Sequence, residues 1–211
     1  MLRFFIALNL SQWYFTFNFD IMNKLFVLLL MVCSCSDAAK KTTINTSEKA
    51  EQVSFFPVTS YIKGQIAELK TSKVKPIIIN IAGDKSDSTF LKIEDLDAAF
   101  KEYINPEIDS TNLIDLFTET RFEDKTINAF TFIYTAKPEI SDNISLIRWD
   151  VIIDPETNTV KRIYIVKKID GNKELQLTWQ SGKYCKAVTI ATDNTGKQFL
   201  ENEQTIKWNF E

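Results

Sequence analysis

From about residue 126 to the end of the chain, the sequence is written with a period of two. Phe130, Phe132 and Tyr134 recur at every second position, and so do Ile147, Trp149, Val151 and Ile153. Val160, Arg162, Tyr164 and Val166 follow, then Leu175, Leu177 and Trp179, then Tyr184 to Ala191, and finally Ile206, Trp208 and Phe210. Successive side chains of a strand point to opposite faces, so this spacing puts one set of residues on each face of an extended segment. Between the runs lie Asp154-Pro155-Glu156-Thr157-Asn158, Asp170-Gly171-Asn172, Ser181-Gly182 and Asp193-Asn194-Thr195-Gly196. Proline presets φ for a turn, and Asp and Asn side chains bond back to nearby backbone. Six strands with short links predict an antiparallel meander with one face toward a core.

The segment before it mixes two periods. Val58, Ile62, Ile66 and Leu69 recur at helical spacing, with Thr59 or Ser60 as the expected cap and Gly64 a mild weakness. Ile77 to Ile81 is a β-prone run, Gly83 to Ser88 reads as a turn or loop, and Phe90 to Ile93 as a second short strand. Asp95 is the expected cap of a helix over 96–104 carrying Leu96, Phe100 and Ile104, which Pro106 ends. Ser110 or Thr111 then starts a short helix with Leu113, Ile114 and Phe117. The expectation is a single α+β domain over 54–211, with two or three N-terminal helices packed on a roughly six-stranded antiparallel β-meander. A strongly curled sheet or half-barrel is the alternative. Apolar residues make up 45% of the chain, enough to build such a core.

Residues 22–34 carry an address rather than a fold. Lys24 precedes an apolar run, Leu25 to Val32, that is too short to cross a bilayer as a helix and fits the hydrophobic region of a secretory signal. It ends in Val32-Cys33-Ser34-Cys35, which resembles the bacterial lipobox: a branched apolar residue, a small residue, and the cysteine that takes the lipid. That resemblance implies cleavage between Ser34 and Cys35, and acylation of Cys35. More than one acyl chain would be attached, because a single chain holds a protein to a membrane only marginally. The alternative is a buried helix ending in two cysteines. Residues 1–21 are expected to be an over-extended start, with Met22 the first residue of a complete signal. Residues 35–53 are polar, without hydrophobic periodicity, and read as a tether.

The chain has no histidine, which removes Ser-His-Asp triads, Cys-His pairs and imidazole metal ligands. Carboxylate chemistry stays open. The net charge is −3, and loss of residues 1–34 leaves 23 basic against 27 acidic residues, about −4. No basic stripe faces phosphates, so nucleic acid is not an expected partner, and the lipid rather than charge must hold the chain to a membrane. No Cys-rich spacing points to a metal, and no cofactor is expected. Asp84 to Asp95 has the outline of a calcium loop but lacks the glycine and the final glutamate.

Four features remain as candidate sites. Trp149, Trp179 and Trp208 form either an aromatic platform for a sugar or peptide, or part of the core. Arg148 and Asp150 flank Trp149 and either anchor a ligand or form a surface pair. Cys185 is either a redox thiol or a small buried filler. The carboxylates are too many for a catalytic pair to be chosen by spacing. Asn112-Leu-Ile-Asp-Leu-Phe117, Trp149-Asp-Val-Ile-Ile-Asp-Pro-Glu156 and Leu177-Thr-Trp-Gln-Ser-Gly182, with the low glycine count, resemble envelope lipoproteins of the Bacteroidota type over residues 55–211. The resemblance implies an outer-membrane lipoprotein and transfers no activity. Ser36, in place of an aspartate, also favours the outer membrane. The expected role is non-catalytic binding or assembly with an envelope protein or glycan. A carboxylate-dependent glycan hydrolase and a passive small-ligand carrier are the alternatives.

Overall fold

The computed structural model describes residues 55–109, 111–140 and 144–210. These lie within one unit, Glu51–Glu211. The signal, Ser34, Cys35, the tether and the proposed start at Met22 fall outside the described residues.

Helix α1 spans Val58–Thr71, and the residues that recur at helical spacing, Val58, Ile62, Ile66 and Leu69, are the apolar ones it buries. Its N-terminus has no side-chain cap. Thr59 is committed elsewhere: its Oγ1 accepts from the Ile108 amide at 2.8 Å, and its own amide donates to the Ile108 carbonyl at 3.0 Å. The next strands, β1 (Ile77–Ala82) and β2 (Lys85–Phe90), form a hairpin through Gly83 and Asp84. Gly83 has a φ of +56°, the left-handed backbone a two-residue hairpin turn needs.

The segment expected as one helix over 96–104 is broken. A short 3-10 turn at Ile93–Asp95 leads into α2 (Leu96–Ala99) and α3 (Lys101–Ile104), and Asp95 makes no cap bond. Leu96, Phe100 and Tyr103 are the residues driven into the core. The helix expected from 110 or 111 does not form. Asp109 Oδ1 accepts the amides of Thr111 and Asn112, both at 2.7 Å, and a single turn at Leu113 leads straight into a strand.

That strand is β3 (Phe117–Asp124), followed by β4 (Ala129–Ala136), β5 (Leu146–Ile153), β6 (Val160–Lys168), β7 (Lys173–Gln180), β8 (Tyr184–Thr192) and β9 (Gln198–Lys207). All nine strands form one antiparallel sheet in the order β2-β1-β9-β8-β7-β6-β5-β4-β3. The expected fold is therefore corrected. Strand takes 47% of the described residues and helix 16%, so the domain is a nine-stranded sheet with a thin helical cover, not two or three packed helices on six strands. The six strands of the expected meander are β4 to β9. Three more complete the sheet: β3 on one edge, which the sequence reading does not expect; β1, at the β-prone run Ile77 to Ile81; and β2, which occupies the segment expected as a loop and ends at Phe90, the expected start of a second short strand. The β1–β2 hairpin returns to pair with β9 through Ile78↔Ile206.

Two register slips also correct the reading of individual faces. Bulges interrupt the β5–β6 pairing between Leu146 and Arg148 and between Ile152 and Ile153. Leu146, not Ile147, enters the core, and on β6 it is Ile163 and Ile165 that do so, while Tyr164 and Val166 face the other way. A bulge inserts one residue and flips every side chain beyond it. Among the described residues the helical side chains join the core from one sheet face only, against Trp149, Val151, Ile163, Ile165, Leu177, Trp179 and Ile206. No helix among the described residues is long and apolar enough to cross a membrane.

Candidate functional site

The residues singled out from the sequence separate into different places. Trp149 is 0% exposed and stacks on Tyr134 at 4.7 Å, with Phe117 at 4.5 Å and Phe55 at 5.8 Å. Trp179 is 1% exposed and lies 5.3 Å from Phe100, 5.6 Å from Tyr103 and 5.2 Å from Trp208. The three indoles thus fall into two clusters beneath the helical cover. Only Trp208 is half-buried, so Trp149 and Trp179 have no face to offer a ligand and belong to the core. Among the described residues neither of their indole N–H groups has an acceptor.

Cys185 is buried, and burial pushes its thiol up to about 12. A buried thiol held in that state has almost no thiolate near neutrality, the setting of a core filler more than of a reactive cysteine. Arg148 and Asp150 bind each other: Nε donates to Oδ1 at 2.7 Å and Nη2 to Oδ2 at 2.8 Å. Asp84 to Ser88 belongs to a hairpin turn and an extended edge strand, whose side chains alternate between faces instead of converging. Among the described residues no group of three His, Cys, Asp or Glu could hold a metal ion.

Among the described residues, the carboxylates with displaced proton affinity are all displaced downward. Lys161, with the amides of Thr157 and Glu156, lowers Asp154 to about 2. The amides of Thr111 and Asn112 lower Asp109, and the Thr195 hydroxyl with the Lys197 and Thr195 amides lowers Asp193. A glycosidase needs a carboxyl held protonated, which is the opposite shift. These three acids build turns.

A different place on the molecule does gather functional groups. On the face away from the helices, a hollow of about 590 Å³ lies between the β6–β7 and β8–β9 turns. Its floor includes Ile147 and Ile190, and its walls carry Asn172, Thr192, Asn194 and Gln198 beside Lys168, Lys173, Glu174 and Asp193. The two turns are joined to each other, the Thr192 amide donating to the Asn172 carbonyl at 2.9 Å. Each is internally fixed. Lys173 donates its amide to the Asp170 carbonyl at 3.2 Å. Asp193 Oδ1 accepts the Thr195 amide at 2.8 Å, the Thr195 hydroxyl at 2.6 Å and the Lys197 amide at 3.0 Å. Lys173 Nζ also reaches Glu201 at 2.6 Å.

The sequence reading placed both turns correctly but did not join them. The signal was present: in a meander every second turn lies at the same end of the sheet, so the β6–β7 and β8–β9 turns must be neighbours. The hollow's floor was less legible, because the bulge at Leu146 is what turns Ile147 to this face. Comparison with models of protein families, with curated proteins and with solved structures finds nothing that matches this chain.

Proposed function

We propose that the chain is a lipoprotein of the cell envelope, anchored through Cys35, whose sheet domain binds another envelope component without catalysing a reaction. One observation carries the reading: Lys24, an eight-residue apolar run and Val32-Cys33-Ser34-Cys35 stand in the order a lipid-modified signal requires. A polar stretch over 36–53 follows, as a tether between membrane and domain would. Two further features support a binding role. The sheet presents a face that the described helices leave open, and on that face two rigid turns frame a polar hollow.

Metabolic labelling with a fatty acid tests the anchor. The wild-type chain should carry label and sediment with membranes. Cys35→Ser should lose both properties, because Cys33, the other cysteine of the motif, lies on the signal side of the expected cleavage point. An unlabelled wild-type chain, or a labelled Cys35→Ser chain, would overturn the proposal. The binding role is tested by cross-linking in whole cells, which should capture a defined envelope component.

A further inference from the structure

The hollow between the β6–β7 and β8–β9 turns is, we infer, a binding site for a neutral saccharide; this deepens the binding role proposed above and rests on it. The first argument is hydrogen-bond supply. Elsewhere on this face three pairs of polar side chains satisfy each other: Arg148 with Asp150, Arg162 with Gln180 at 3.0 Å, Lys186 with Glu203 at 2.7 Å. In the hollow, Asn172, Thr192, Asn194 and Gln198 make no side-chain hydrogen bond to another described residue, and they converge on one volume. Their amides and hydroxyl donate and accept at adjacent atoms, the pattern that vicinal sugar hydroxyls match.

Charge supplies the second argument. The lining holds two cations, Lys168 and Lys173, and two anions, Glu174 and Asp193. Lys173 is held by Glu201, Glu174 accepts from Gln176 at 2.7 Å, and Asp193 is occupied by its own turn. A balanced, internally engaged set favours neither a phosphate nor a cation, and suits an uncharged polyol. Shape supplies the third. Ile147 and Ile190 give an apolar floor, and Leu200, the cross-strand partner of Ile190, is 51% exposed and extends it. The C–H face of a sugar ring packs on such a floor while its edge hydroxyls reach the amides. The volume lies within the range of small-molecule sites. A peptide is less well served. Strands β6 to β9 are interior strands paired on both sides, so their main chain is used up and cannot take an added strand.

The test uses the full, lipid-bearing chain in detergent micelles. Amide spectra are recorded while maltohexaose, cellohexaose, xylohexaose and chitohexaose are titrated separately, with a galacturonate hexamer and an unstructured peptide as comparisons. At least one neutral hexamer should shift the amides of Gly171, Asn172, Asn194 and Gly196 saturably. Asn172→Ala combined with Asn194→Ala should weaken that binding by about tenfold or more. Gln198→Ala should weaken it on its own, and Arg162→Ala, outside the hollow, should not. The inference is overturned if no neutral hexamer saturates, if only the galacturonate or the peptide binds, or if the variants bind as wild type with their spectra intact elsewhere. Fatty-acid label on the same preparations reports the anchor separately, so loss of sugar binding with label retained removes this inference and leaves the anchor standing.

Discussion

Trp149 shows how a single residue decides between two readings of one pattern. Alternation along β5 places it on one strand face, and a ligand platform and a core wall predict the same alternation. What separates them is the third dimension, namely whether other elements cover that face. Phe55, Phe117 and Tyr134 close over the ring. Trp149→Ala should therefore destabilise the domain by about 3–5 kcal/mol, as removal of a buried aromatic does. Trp149→Phe should cost less, about 1 kcal/mol, because it keeps an aromatic ring in place and removes an N–H that has no acceptor among the described residues. Urea melts of the two variants check the difference. Asp154 gives a pH signature. Its pKa is depressed from 3.8 to about 2 in the folded state. The stability it contributes is thus present above the unfolded value and is lost as pH falls through that interval toward about 2. Asp154→Asn should melt below wild type at neutral pH, and the gap should close between about pH 4 and pH 2. The turn itself, with Asp154 Oδ1 accepting from Glu156 and Thr157, was fully legible from Asp154-Pro155-Glu156.

At the scale of elements, the thin cover is tied to the sheet by Lys167. It sits at the end of β6 on the core face, and its ammonium donates to the carbonyls of Glu102 and Asn105 and to the Glu102 carboxylate, closing the end of α3. Burial draws its proton affinity down, offset by Glu102. Lys167→Met should cost about 2 kcal/mol through the abandoned acceptors. Hydrogen exchange should rise over Lys101–Ile104 while the central strands keep their protection. The elements recovered from the sequence, α1 and β4 to β8, are those with a buried face long enough to show a period; the last strand, expected at Ile206, Trp208 and Phe210, instead runs Gln198–Lys207 and buries only Ile206. Those that sequence reading missed lack one. In β3 the apolar Phe117 and Phe122 have opposite parity, and Glu119, Arg121 and Glu123 share the face of Phe117, so no alternation exists to detect. In β2 every residue is exposed, and only pairing to β1 makes it a strand. The two bulges of β5–β6 are written in backbone geometry, which no hydrophobic pattern records.

For the molecule as a whole, β9 is the keystone. It pairs with β8 on one side and with β1 on the other, so the first hairpin of the sheet closes against its last strand. This long-range return, invisible in local periodicity, is why the sheet has nine strands. At the other end of β9, its first residue Gln198 lies beside the turns that frame the hollow. The candidate site is thus a product of topology more than of motif: only the turn residues could be read in advance. The proposed anchor is the sulfur of Cys35, and intact mass spectrometry of the mature chain from its native membrane tests it directly. The predicted mass is that of a chain beginning at Cys35 and carrying a diacylglyceryl group with an acylated amine. A mature chain that begins at Met1 or Met22, with an unmodified thiol at position 35, would contradict it.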